Sequence, residues 1–218
     1  MPLQNRVLPD QTIVALPARG TLTGNRGILH DEGQILRRLW TSKAWICCTL
    51  DWKGARRQPM TGRSWTELFF LDEAVALAAG HRPCATCRRS AYNAFRAAWT
   101  MAALPGTKAP EIDAHLHATR LTPQHTQRRH LASAETLPDA TFILNPAPHL
   151  LHGPHAFPWT PAGYLTPQPR PTGPVQVMTP EPTVALLRAG YRALIHPSLH
   201  LHPGENAPPG GAAKLAAP

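Results

Sequence analysis

The segment Ala79-Gly80-His81-Arg82-Pro83-Cys84-Ala85-Thr86-Cys87-Arg88-Arg89 constrains this chain more than any other. Gly80 stops a helix, Pro83 keeps the residues before it out of helix, and a new helix has to begin near the cysteine pair. A CxxC pair at a helix start supplies two sulfurs with the bite that zinc needs, and the helix N-terminus favours their thiolate forms. A redox dithiol or two buried, inert cysteines would show the same letters, but a redox CxxC belongs to a βαβ context that this segment lacks. The chain has four cysteines, and the other two, Cys47 and Cys48, lie in a short apolar run upstream. Four cysteines so unevenly placed do not make a secreted disulfide scaffold; in a reducing compartment they point to metal or redox chemistry.

Local pattern organises the flanks. Ala44 to Leu50 is apolar, β-branched and aromatic, and is predicted as a strand. Lys53-Gly54-Ala55-Arg56-Arg57 reads as a basic turn, and Trp65 to Phe70 as the returning strand. A helix follows, with Asp72 as cap, Glu73 in the first turn and Gly80 as stop. The next helix starts around Cys84 to Thr86 and runs through Tyr92, Phe95 and Trp99, whose spacing marks a core face. Residues before Arg26 read as extended and loop-like, and Pro110 to Ala132 as short histidine-rich helices. Beyond Ala140, the runs Thr141 to Leu144, His149 to Leu151 and Val175 to Met178 predict strands, and Thr183 to Gly190 a last helix. The Pro/Gly/Ala-rich tail from Pro203 is expected to be disordered. No run approaches the length of a membrane span, and the opening residues carry no charged-then-apolar leader, so a soluble cytoplasmic protein with no membrane partner is expected.

Charge concentrates around the same segment. From Ile35 to Ala97 there are eleven basic residues against four acids, which places +7 of the chain's +9 in this third. Such asymmetry favours a polyanion, of which nucleic acid is the commonest, although a solvated basic face has the same composition. Arg56, Arg57, Arg88 and Arg89 are the candidate phosphate contacts; Arg82 can instead brace loop carbonyls from inside.

The run Gly80-His81-Arg82-Pro83-Cys84, two residues, then Cys87-Arg88-Arg89, preceded by Leu68-Phe69-Phe70 and Ala74 to Ala79, resembles the end of the Ada-type zinc-binding domain of DNA alkylation repair proteins. Ile46-Cys47-Cys48 resembles that family's isoleucine-aromatic-cysteine, which aligns Cys48 with its first cysteine. The resemblance covers about Ala44 to Arg89. It implies a zinc ion held by Cys48, Cys84 and Cys87, DNA as partner, and Cys48 as a methyl acceptor from methylphosphotriesters. It also exposes a departure: the family's second cysteine, four residues after the first, is Trp52 here. His81 is the candidate fourth ligand; Asp51 or water are alternatives, and an open fourth position would fit a catalytic zinc.

The expected architecture is α+β. A small zinc-knuckle module over residues 27–103, a strand pair plus two helices, joins a β-rich, histidine-containing region over 104–202 and a tail over 203–218. The expected function is zinc-dependent binding of nucleic acid, DNA before RNA. The alternatives are methyl acceptance by Cys48, a non-enzymatic RNA- or protein-binding module, and a metal-dependent nuclease. The nuclease would be built on Asp113 and His117, four apart on a helix, although HxH at His115 and His117 is a weak signature and surface histidines read the same way.

Overall fold

The architecture follows from short strands and amphipathic helices that bury a large apolar cluster and a smaller second one. A computed structural model describes residues 1–54 and 58–201; Arg56, Arg57 and the tail from 203 lie outside the described residues. The strands are β1 (Gln4–Val7), β2 (Ile13–Ala15), β3 (Leu22–Asn25), β4 (Ile46–Thr49) and β5 (Leu68–Phe70). Helix α1 (Glu73–Ala78), the two-residue strand β6 (Arg82–Pro83), and helices α2 (Arg89–Met101) and α3 (Ala109–Arg120) follow. The last third holds β7 (His130–Ser133), β8 (Phe142–Leu144), β9 (Pro148–His152), β10 (His155–Thr160), β11 (Gly163–Tyr164), β12 (Gln168–Pro169), β13 (Pro174–Val177) and α4 (Glu181–Arg188). This is a mixed α+β fold with two sheets, as the residue patterns indicated. Among the described residues no helix is long and apolar enough to cross a membrane.

The first sheet runs β2-β1-β5-β3-β4-β6. Here the expected local order changes. β4 and β5 do not pair with each other; β3 lies between them, antiparallel to both. The N-terminal residues expected as loop therefore supply β1, β2 and β3, half of this sheet. Each of these strands has only three or four residues. Runs that short, set among Pro2, Pro9 and Pro17, carry too little alternation to stand out.

Helix α1 shows clear local coding. The Asp72 carboxylate caps it by accepting from the Val75 amide at 2.9 Å. At its end the Gly80 amide bonds the Leu77 carbonyl and the His81 amide bonds the Ala76 carbonyl, the paired closure of a Schellman motif. Gly80 takes φ +81°, and a Cβ there would lie 2.5 Å from Cδ of Arg120. Every residue from Glu73 to Ala78 is buried, so a run of small side chains here is a packing requirement.

The second sheet runs β11-β10-β9-β8-β13-β7, with β12 paired to β10. One apolar cluster reaches from Val7 and Phe70 through Phe95 and Trp99 to Phe142, Leu150 and Tyr191, joining both sheets through the helices. A buried polar hub reinforces it. Asp72 accepts from the Tyr164 hydroxyl at 2.7 Å and the His196 amide at 2.9 Å; Glu73 accepts from the Tyr191 hydroxyl at 2.7 Å and the Leu194 amide at 2.9 Å. Burial still pushes the Asp72 carboxyl above its ordinary range against these donors.

Candidate metal centre

Strand β4 and the turn after β6 bring three cysteines together. β6 pairs parallel to β4, with Ile46 opposite Arg82 and Cys47 opposite Pro83. The Arg82 amide bonds the Trp45 carbonyl at 3.0 Å and the Cys84 amide bonds the Cys47 carbonyl at 2.9 Å. This ladder delivers Cys84 to the side of the sheet where Cys48 projects. The turn into α2 then returns Cys87 to the same place. The Sγ atoms of Cys48, Cys84 and Cys87 all lie within 4.8 Å of one another, and all four cysteines are free thiols. Tetrahedral zinc with Zn–S near 2.3 Å places its sulfurs about 3.8 Å apart. The cluster thus fits an ion that prefers soft thiolates with little rearrangement.

The local electrostatics favour one anionic sulfur, at Cys84. The Cys84 thiol is pulled down to about 4, by the Cys48 thiol donating to it and by the Thr86 and Cys87 amides. The partners move the other way. Its bond to Cys84 and burial hold the Cys48 thiol above its ordinary value, and burial does the same at Cys87. Cys47 points to the opposite face, as strand alternation requires, and is buried in the core with its Sγ 3.6 Å from Nη1 of Arg88.

The remaining candidates fall elsewhere. His81 is occupied and does not join the sulfurs: Nε2 accepts from Nε of Arg26 at 3.2 Å and Nδ1 faces the Ala76 carbonyl at 3.2 Å. Burial and the nearby Arg26 and Arg120 cations hold it neutral, well below its ordinary pKa. Asp51 caps the following turn by accepting from the Gly54 amide at 3.1 Å, and Trp52 stands 41% exposed. Arg88, expected to face phosphate, turns inward to Glu73 at 2.8 Å with only 11% of its side chain exposed. Arg89 is exposed. Arg56 and Arg57 lie outside the described residues.

Asp113 and His117, the residues of the nuclease expectation, are not brought into a metal-binding group among the described residues. Asp113 is held bidentately by Arg82, with both bonds 2.7 Å, and Nδ1 of His117 meets Nη2 of Arg120 at 2.7 Å. Among the described residues, Cys48, Cys84 and Cys87 are the one group of three metal-binding side chains that comes this close.

Sequence reading gave no sign of the packing around Trp45. The guanidinium carbons of Arg26 and Arg120 lie 3.9 Å and 3.7 Å from its ring centroid, and the indole is 1% exposed. Arg26 and Arg120 are far apart in the sequence and belong to no motif, so no local signal could have joined them.

The fold and site define an α+β protein with a three-cysteine cluster able to hold a metal ion. Comparison with protein-family models, curated proteins and solved structures finds no match to this chain.

Proposed function

We propose that this chain is a zinc-dependent nucleic-acid-binding protein, with DNA as its partner. One observation carries the reading: three sulfurs from two separate segments, both within the most basic third of the sequence, converge within 4.8 Å. Zinc on Cys48, Cys84 and Cys87 would pin β4 to the start of α2 and neutralise the gathered thiolates. The resemblance of Gly80 to Arg89 to the Ada-type domain supports the choice of metal and partner. Four free thiols suit a reducing, cytoplasmic setting. The exposed cations Lys53, Arg89 and Arg96 would meet phosphates, giving affinity without base reading.

The test is elemental analysis of purified wild type and Cys84→Ala, paired with fluorescence anisotropy of labelled duplex DNA across a salt series. Stoichiometric zinc in wild type, its loss in the variant, and affinity that falls steeply with salt are expected. Metal-free wild type, or salt-insensitive binding, overturns the reading.

A further inference from the structure

A cavity of about 520 Å³ opens between the Asp10 turn, the Trp40–Trp45 segment and the loop after α3, and no cysteine lines it. Its walls include Arg26, Trp40, Trp45, His125 and Arg129, with Asp10 also among the lining residues. Four features set it apart.

The first is unbalanced charge. Arg26 is 1% exposed, yet its hydrogen bonds go to neutral groups: Nε to His81 and Nη1 to the Gln11 carbonyl at 3.1 Å. Its Nη2 has no hydrogen-bond partner among the described residues. Arg120, on the same indole, bonds the Gly80 and Lys43 carbonyls and His117. Burial opposes the charge of both guanidiniums, drawing Arg26 down to about 9 and Arg120 to about 8. The acids nearby offset this only in part. Asp113 is clamped by Arg82 and favours the Arg120 cation through space, and Asp10, whose Oδ1 accepts from the amide and the hydroxyl of Thr12, favours Arg26 in the same way, each more weakly than burial opposes it. Buried cations without carboxylates are costly, and an anion in the cavity would relieve that cost.

The second feature is the aromatic wall. Trp40 is half-buried, with the His125 ring edge-on at 5.0 Å and Trp45 tilted against it at 6.0 Å. This arrangement holds Trp40 in place for a planar ring to stack on. The third is a basic rim: Arg129 is exposed, and among the described residues its side chain bonds the amide oxygens of Gln127 and Gln176. Gln11 and His125, both lining the cavity, also hold left-handed backbone at φ +76° and +62°, and such strain gathers at binding sites.

We propose that this cavity binds a nucleotide, its base against Trp40 and its phosphate toward Arg26 and Arg129, either as a free mononucleotide or as one unit of a single strand. The proposal goes beyond the metal-dependent reading and stands without it.

Isothermal titration calorimetry on the full chain tests it, using each deoxynucleoside 5′-monophosphate, a mixed-sequence single-stranded oligonucleotide and inorganic phosphate. Saturable binding of a mononucleotide or the oligonucleotide is expected. Trp40→Ala should weaken it at least about tenfold, since a base–aromatic stack contributes on that scale. Arg129→Gln should also weaken it, whereas Arg192→Gln, at an exposed residue that does not line the cavity, should leave mononucleotide binding unchanged. A tighter mononucleotide identifies free nucleotide as the ligand, and a tighter oligonucleotide identifies a strand. If Trp40→Ala does not fold, His125→Ala takes its place. Failure of every nucleotide to bind, phosphate binding as tightly as mononucleotide, or undiminished binding in the folded cavity variant overturns the proposal. Zinc content and duplex binding are measured separately, so either reading can fail alone.

Discussion

Arg82 grips both carboxylate oxygens of Asp113 at 2.7 Å, with the two side chains only 5% and 7% exposed. The pair ties β6, two residues before the cysteine turn, to the buried face of α3. Removing one partner strands a buried charge. Asp113→Asn is expected to cost about 3–5 kcal/mol, seen as a lower urea midpoint at unchanged slope. Replacing both residues with apolar ones, Arg82→Met with Asp113→Leu, should recover much of that loss.

His81 makes stability depend on pH. Its folded pKa lies well below the ordinary 6.5, because burial and two guanidiniums oppose its charge. Below pH of about 6.5 the unfolded chain takes up a proton that the folded chain refuses. The stabilising contribution is therefore complete above that pH and is lost as pH falls, at no more than about 1.4 kcal/mol per pH unit. Urea unfolding from neutral pH to about pH 5 should show a steeper acid limb in wild type than in His81→Gln.

Metal content should separate Cys47 from the three clustered cysteines. Cys84→Ala is expected to lose zinc, whereas Cys47→Ala should keep it and lose about 1 kcal/mol of core stability, because Cys47 faces away from the sulfurs. Chelation should lower the melting temperature of wild type and of Cys47→Ala but leave Cys84→Ala unmoved. A melting temperature insensitive to chelator in all three would remove the structural role of the metal.

Gly80 is required twice over, by φ +81° and by Cδ of Arg120, only 2.5 Å from where a Cβ would stand. Gly80→Ala should cost upward of roughly 1–3 kcal/mol, the scale of left-handed strain, with the clash added. Gly153 also has positive φ, at +54°, but nothing lies within 4 Å of its Cβ position. Gly153→Ala should carry the strain alone, so thermal denaturation of the two variants isolates the packing part.

Arg88 and Arg89 should behave differently despite their adjacency. Arg89→Gln is expected to weaken DNA binding across sequences and reduce the salt slope by about one, with stability unchanged. Arg88→Gln leaves the buried Glu73 without its cation and should cost about 3 kcal/mol, measured by denaturant unfolding.

The parts of this structure that sequence reading reached are those encoded within a turn or two of chain. Asp72 as a cap and Gly80 as a stop are local geometry. The helical spacing of Tyr92, Phe95 and Trp99 is a local period, and all three are buried. The Cys84–Cys87 spacing likewise predicted two close sulfurs, and the short apolar run around Cys48 predicted its strand. What local pattern missed was partnership. Strand β3 separates β4 from β5 through hydrogen bonds to residues far along the chain. Arg88 and Arg89 are the same residue type side by side, yet one step around the entry to α2 turns one to Glu73 and the other to solvent.

By itself the sequence determined the mixed fold class, the helix punctuation around Gly80, and which cysteines have metal-ligand spacing. Each rests on backbone preferences that act over a few residues. Only the tertiary structure decided that His81 belongs to Arg26 rather than to the sulfurs, that Asp113 belongs to Arg82, and that Arg26 and Arg120 meet on Trp45 beside a cavity. A buried polar group must find its partner among whatever the packed core places within about 3 Å, and that neighbour is set by how the sheets and helices close on one another.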